Sequence, residues 1–392
     1  MTPSRRGFLA ASFAAMSLRS VGSTRYRTAV IGDTDHGDYG HEWDTAWNGL
    51  PDVEVVAVAD PDPAGRARSQ KRSGAARAYA DYHKMLETEK PDLVAICPRW
   101  ADQRVAMVTA AASVGANMMI EKPFAASLED ADRMVAAIDA ARVKVQIGHT
   151  ARPHPVTLQV RALVKAGGIG ELLEIRSRGK EDQRAGGEDL IVLGTHCVDM
   201  VRFFAGDPQW VFAHVTERSR DVSRSAGRRP SEPVGLIAGD QVAAMFAFPG
   251  ETHAYFGSKA SDVTTGSRFG VTFYGSHGAI FLSLNRVPQD PAMILRSANW
   301  AAEGSSERWE VLPPPSQPKL ETRFDANNLM VQDLLEAIAK DREPICGARD
   351  GRWTIEMVTG VYQSQISGGR VTFPLRDRHN PLTVGDLGAG TP

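Results

Sequence analysis

Between Arg27 and Gly148 the chain alternates short, unbroken apolar runs with longer stretches of helical period. The apolar runs are TAVIG, VEVVAVAD, DLVAICP, ANMMIEKP and VKVQIGH. Between them EWDTAWNGL, PAGRARSQKRSG, DYHKMLETEK, QRVAMVTAAASVG and SLEDADRMVAAIDAA are spaced for helices. A strand that is apolar on both faces is covered on both faces, as in a parallel sheet sandwiched by helices. The pattern predicts an α/β, doubly wound Rossmann domain over 25–148, a fold that binds dinucleotides at the carboxyl ends of its strands.

Beyond Arg152 the rhythm changes. A helix is predicted in PVTLQVRALVKAGG, a strand in ELLEIRSRG, and another helix beginning near Glu188. Strand-like runs then follow at short intervals: PQWVFAHVTE, GDQVAAMFAFP, THAYFGSK, GVTFYGSHGAIFLSL, AMILRS and RWEVLP. Many strands with few helices between them imply an α+β domain over 149–392 with a large, mainly antiparallel sheet. DANNLMVQDLLEAIAKDREP reads as a late amphipathic helix. ERSRDVSRSAGRRPSEPVG is expected to be a mobile surface loop, with a lid or subunit contact as the alternative.

At 392 residues with 42% hydrophobic and 23% charged positions, the chain is too long for one core, consistent with two domains. A net charge of −2 gives no electrostatic case for nucleic acid or an anionic membrane. Cys97, Cys197 and Cys346 are widely spread and lack a CxxC spacing, which excludes a disulfide scaffold and a thiolate zinc site. No metal site is expected. SRRGFLAASFAAMS resembles a twin-arginine export signal, so residues 1–24 are expected to direct the protein to the periplasm. Its apolar run of about 11 residues falls well short of the ~20 that span a bilayer, and no stable membrane insertion is expected.

Candidate chemistry gathers at the predicted strand ends. Gly32, Thr34 and Gly37 follow the G-x-G-x-x-G spacing of a phosphate loop, except that Thr34 replaces the glycine that lets a pyrophosphate approach the backbone. Asp33, Asp35 and Asp38 add like charge there. Asp60 ends the second strand, where a carboxylate accepts from ribose hydroxyls and repels a 2′-phosphate, favouring NAD over NADP; capping of the next helix is its bland alternative. Pro98, Trp100, Glu121 and Lys122 end the next two strands and border the nicotinamide half of such a crevice. Lys122 is placed to take a hydroxyl proton as hydride leaves the same carbon, and Glu121 to hold the nicotinamide ribose.

AVIG, VVAVADPDP, VGANMMIEKPFAASLEDADRMV, VKAGGIGELLEIRSRG, GTHCVDMVRFFAGDP, FYGSHGAIFL and VYQSQISGGRVTFPL occur in this order, and from about Arg27 to Leu375 the chain resembles the glucose-fructose oxidoreductase, inositol dehydrogenase and MocA (Gfo/Idh/MocA) family. The resemblance implies a bound nicotinamide cofactor, a carbohydrate or cyclitol substrate, a homo-oligomer, Lys122 as the catalytic lysine and His196 as the group contacting the reacting hydroxyl. Val192 departs from it, standing where many relatives carry the aspartate of a lysine–aspartate–histidine relay. Glu188 and Asp189 could substitute, but on one helix they would lie roughly 10 to 12 Å from His196. They are expected either to meet a sugar from its other side or to stabilise the helix N-terminus. His149 and Arg152 end the last parallel strand and are candidate substrate contacts. Three activities are compatible with this pattern: a NAD(P)-dependent dehydrogenase, a glycoside-cleaving enzyme that oxidises its substrate transiently around a tightly bound cofactor, and a non-catalytic sugar-binding relative.

Overall fold

The computed structural model describes residues 25–260, 268–285, 290–302, 307–316 and 320–384. The export signal expected in 1–24 lies outside them. Strands β1 (Tyr26–Ile31), β2 (Val53–Ala59), β3 (Arg77–Tyr79), β4 (Leu93–Ile96), β5 (Asn117–Ile120) and β6 (Val145–Ile147) form one parallel sheet in the order β3-β2-β1-β4-β5-β6. Helices α1 (Pro63–Ser73), α2 (Tyr82–Glu89), α3 (Arg104–Ser113) and α4 (Leu128–Ala141) connect them. The register aligns the strand ends: Ile31 pairs with Ala59 and Ile96, Ile96 with Ile120, and Ile120 with Ile147. Gly32, Asp60, Cys97, Glu121 and Gly148, the residues that follow those partners, therefore stand along one rim.

One expected helix is absent. EWDTAWNGL, after β1, forms successive turns. Gly37, Asp38, Gly40 and Glu42 have φ of 92°, 57°, 60° and 66° and crowd its start, and Gly49 at 76° closes it, so a helical ladder has room for few residues between them. The segment is nevertheless anchored. Trp43 and Trp47 are buried, and Asp44 accepts from Ser69 Oγ (3.1 Å) and Arg72 Nη2 (2.6 Å) of α1.

The second domain begins with α5 (Pro155–Lys165) and β7 (Leu172–Arg178), followed by α6 (Gly187–Val192) and α7 (Gly194–Ala205). Its remaining strands are β8 (Trp210–Glu217), β9 (Arg220–Asp221), β10 (Gln241–Ala247), β11 (His253–Lys259), β12 (Gly270–Gly275), β13 (Gly278–Ser283), β14 (Met293–Leu295), β15 (Glu310–Val311) and β16 (Val371–Thr372). All ten strands join one sheet, antiparallel except where β7 meets β11. The late helix appears as α8 (Arg323–Ala339). A further 20-residue helix, α9 (Ala348–Ser367), packs on α4, α7 and β8 and was not legible from periodicity. It is buried on most sides, so it carries no clean polar face, and Gly351 sits where a Cβ would lie 2.8 Å from the Phe124 ring.

Two charged clusters fix the parallel domain. Arg104 opens α3 and is wholly buried. Its guanidinium donates to the carbonyls of Pro98 (2.5 Å), Trp100 (3.3 Å), Pro123 (2.8 Å) and Glu121, tying the loop after β4 to the loop after β5. Burial lowers its pKa to about 10, still well above neutrality. Glu89 accepts from Arg77, Tyr79 (2.6 Å) and Arg27 (3.0 Å) at the opposite end of the sheet; the hydrogen bond from Arg77 is the main reason its pKa is held down at about 2.

Replacing Arg104 by methionine leaves four buried carbonyls without this donor. We expect urea unfolding to show a loss of about 3 kcal/mol or more, against a negligible change for Arg133→Met at an exposed pair. Because the folded pKa of Glu89 lies below its unfolded value of about 4.3, its contribution is fully present above that pH and is lost as pH falls towards 2. The melting temperature of wild type should therefore exceed that of Glu89→Gln at pH 7, with the gap closing between about pH 4.5 and 2; a constant gap across that range refutes the assignment.

Candidate functional site

A cavity of about 300 Å³ opens where the rim meets the second domain, at the small end of the range for small-molecule sites. Lys122, Gly148 and Thr150 line it from the ends of β5 and β6, and Arg99 from the loop after β4. Lys180, Arg184, Val192, Leu193 and Phe269 contribute from the second domain. Lys122 is only 4% exposed and its Nζ donates to the Val192 carbonyl at 3.2 Å. That carbonyl ends α6, immediately before Leu193 separates α6 from α7. The position that lacks the aspartate of the resembled relay thus still engages the lysine, through its backbone.

The loop after β1 crosses the rim and meets three strand ends in turn. At β2, Thr34 donates through Oγ1 (2.8 Å) and N (3.3 Å) to Asp60, which also accepts from Asp62 N (2.9 Å) and is fully buried. At β4, Arg99 N donates to the Gly37 carbonyl at 3.4 Å, and His36 lies edge-on to Trp100. At β5, Glu121 Oε2 accepts from His41 N (2.9 Å), pairs with His41 Nδ1 (2.7 Å) and accepts from Trp43 Nε1 (2.8 Å), while Oε1 accepts from Lys122 N (2.8 Å). Burial alone would raise the Glu121 pKa. The charge of His41, its hydrogen bonds and the charge of Lys122 outweigh that and hold Glu121 well below the usual carboxylate range.

The residue types along the rim fit a dinucleotide: one carboxylate after β2, a second after β5, and Pro98 and Trp100 between them. In this conformation both carboxylates are engaged by the chain itself, so Asp60 and Glu121 can accept ribose hydroxyls only if Thr34, His41 and Trp43 give way.

Of the candidate residues, Lys122 reaches the cavity wall. His196 is 2% exposed, its Nδ1 lies 3.3 Å from His149 Nδ1, and it sits edge-on to Phe269, which lines the cavity. Arg152 pairs with Asp199 (2.7 Å) and Asp350 (3.2 Å) and donates to the Ile345 carbonyl, joining α7 to α9. Glu188 accepts from Ser231, and Asp189 from Ser258 Oγ (2.6 Å) and Glu181 N (3.0 Å), and burial raises the pKa of Asp189. The end of the Arg- and Ser-rich segment meets the site: Ala101 N donates to the Pro233 carbonyl (3.0 Å), and Glu232 lines the cavity.

His41, Arg104, Lys180, Arg184, Glu232 and Arg323 were not singled out from the sequence. A usable signal existed for Arg104 and Arg323. Each is the first residue of a helix, where the macrodipole disfavours a cation.

Family models describe 26–149 as the NAD-binding Rossmann fold and 161–373 as the C-terminal alpha/beta domain of one oxidoreductase family. A D-apiose dehydrogenase from Paraburkholderia graminis is 31% identical over 377 residues, covering 92% of this chain and 93% of that protein. An uncharacterised oxidoreductase, YrbE of Bacillus subtilis, is 24% identical over 83% of this chain and 90% of its own length. Among solved structures, an NAD-binding oxidoreductase from Klebsiella pneumoniae superposes with a TM-score of 0.73 at 21% identity, covering 90% of this chain and all of that one. Levoglucosan dehydrogenase in complex with NADH and levoglucosan does so at 0.73 and 18%, over 89% of this chain and all of its own. With both domains matched in order, the chain belongs to the Gfo/Idh/MocA family of NAD-binding oxidoreductases.

Proposed function

We propose that the protein oxidises a ring hydroxyl of a carbohydrate or cyclitol, with Lys122 as general base and NAD as hydride acceptor. The observation that carries this reading is Lys122, which lines the cavity and whose amine is anchored by the Val192 carbonyl. In this reading the amine takes up the hydroxyl proton as hydride leaves the same carbon. Bound nicotinamide supplies the acceptor for the hydride. Asp60 and Glu121 would hold the two riboses and Trp100 would border the cofactor; an acid at position 60 favours NAD over NADP. The dehydrogenases of apiose and levoglucosan among the similar proteins support a sugar as substrate.

The rim-crossing loop favours a second reading, in which the cofactor stays bound through oxidation, elimination and return of hydride, because a loop that must open for exchange slows it. The Arg5–Arg6 leader supports export, and with it a redox cycle that needs no free cofactor pool. The sheet face carrying the exposed Phe212 and Tyr255 is where a second copy would dock.

Lys122→Met should lower turnover by ~10²- to 10⁴-fold while NADH affinity, read by fluorescence titration, changes little. Full activity in that variant refutes the role assigned to the lysine.

A further inference from the structure

The cavity wall is far more basic than a neutral sugar requires. Five cations converge on it from separate elements: Arg99 after β4, Lys122 after β5, Lys180 and Arg184 between β7 and α6, and Arg323 at the start of α8. Against them stands one lining carboxylate, Glu232, which lies 3.6 Å from Arg184 and 4.0 Å from Arg99. Asp182, outside the wall, forks onto Arg184 (2.6 Å) and approaches Lys180 at 3.9 Å. Two carboxylates among five cations leave a positive excess.

Hydrogen bonding points the same way. Lysine and arginine only donate, whereas each sugar hydroxyl must also give its own proton to an acceptor. Thr150, Asn285 and Asn327 in the same wall can serve hydroxyls, but the excess of charged donors is matched by a group that only accepts, and charged donors bind ionised oxygens most strongly. Arg184 is already committed to Asp182 and Glu232, so the donors left for a ligand are chiefly Lys180, Arg323 and Arg99. From this juxtaposition we infer that the substrate carries an anionic group, a carboxylate or a phosphate, held by Lys180 and its neighbouring arginines while Lys122 addresses a hydroxyl. The inference rests on the oxidoreductase reading for the site but concerns a different part of the ligand.

Calorimetric titration of the full-length protein with D-glucuronate, D-glucose 6-phosphate and D-glucose, for wild type, Lys180→Gln and Arg323→Gln, tests it. Both variants alter side chains that are at least partly exposed, so folding should be preserved. At least one anion should bind about 10-fold or more tighter than D-glucose, the value of one charge-assisted hydrogen bond. The advantage should shrink in each variant and at high salt, and which anion wins separates a carboxylate from a phosphate ligand. The inference fails if D-glucose binds as well as both anions, if neither anion binds, or if the variants weaken NADH binding by the same factor, which would assign the cations to the cofactor. Hydride transfer from D-glucose with no preference for either anion would overturn this inference alone and leave the oxidoreductase reading standing.

Discussion

The site depends on one buried guanidinium. Arg104 donates to four carbonyls in the loops that follow β4 and β5, and those loops carry Arg99, Trp100, Glu121 and Lys122. Strand register brings the ends of β2, β1, β4, β5 and β6 to a common level, but register stops where the strands stop. Beyond them the backbone needs partners of its own. Arg104 supplies them, at the cost of burying a charge at the wrong end of a helix dipole, and so holds a lysine and a glutamate side by side in a place where neither would otherwise remain.

That fixed pair is then divided between two tasks. Glu121 faces the loop after β1, where His41 and Trp43 occupy its outer oxygen. Lys122 faces the second domain, where α6 ends at the carbonyl that receives its Nζ. The break between α6 and α7 makes one of the contacts between the two domains: a continuous helix would commit the Val192 carbonyl to its own ladder. The question raised by an acid and a base in adjacent positions is answered by their pointing to different partners.

Much of this was legible in the sequence because it follows from period and position. Unbroken apolar runs announce a covered parallel sheet, and residues that end such runs must stand on its rim. Lys122, Glu121 and Asp60 were found in that way. Other features depend on contacts distant in sequence. Val192 shows only the loss of a side chain, since a backbone carbonyl leaves no mark in the residue type. Arg152 has the charge expected of a substrate contact, yet Asp199 and Asp350 arrive from α7 and α9 to neutralise it. The missing helix after β1 was hidden by apolar residues at helical spacing, while Gly37 and Gly40 just before it were read only as parts of a phosphate loop. The basic wall was dispersed over four segments, each unremarkable by itself.

The central claim is that a dinucleotide lies along the rim once the loop after β1 yields. Trp43 hydrogen-bonds Glu121 and Trp100 follows β4, so a nicotinamide there would sit beside two indoles. Titrating NADH into the protein while exciting tryptophan measures this directly. The account predicts saturable energy transfer to the bound nicotinamide at one NADH per chain; a protein whose tryptophan emission is unchanged by NADH, and which carries no dinucleotide after purification, would contradict it.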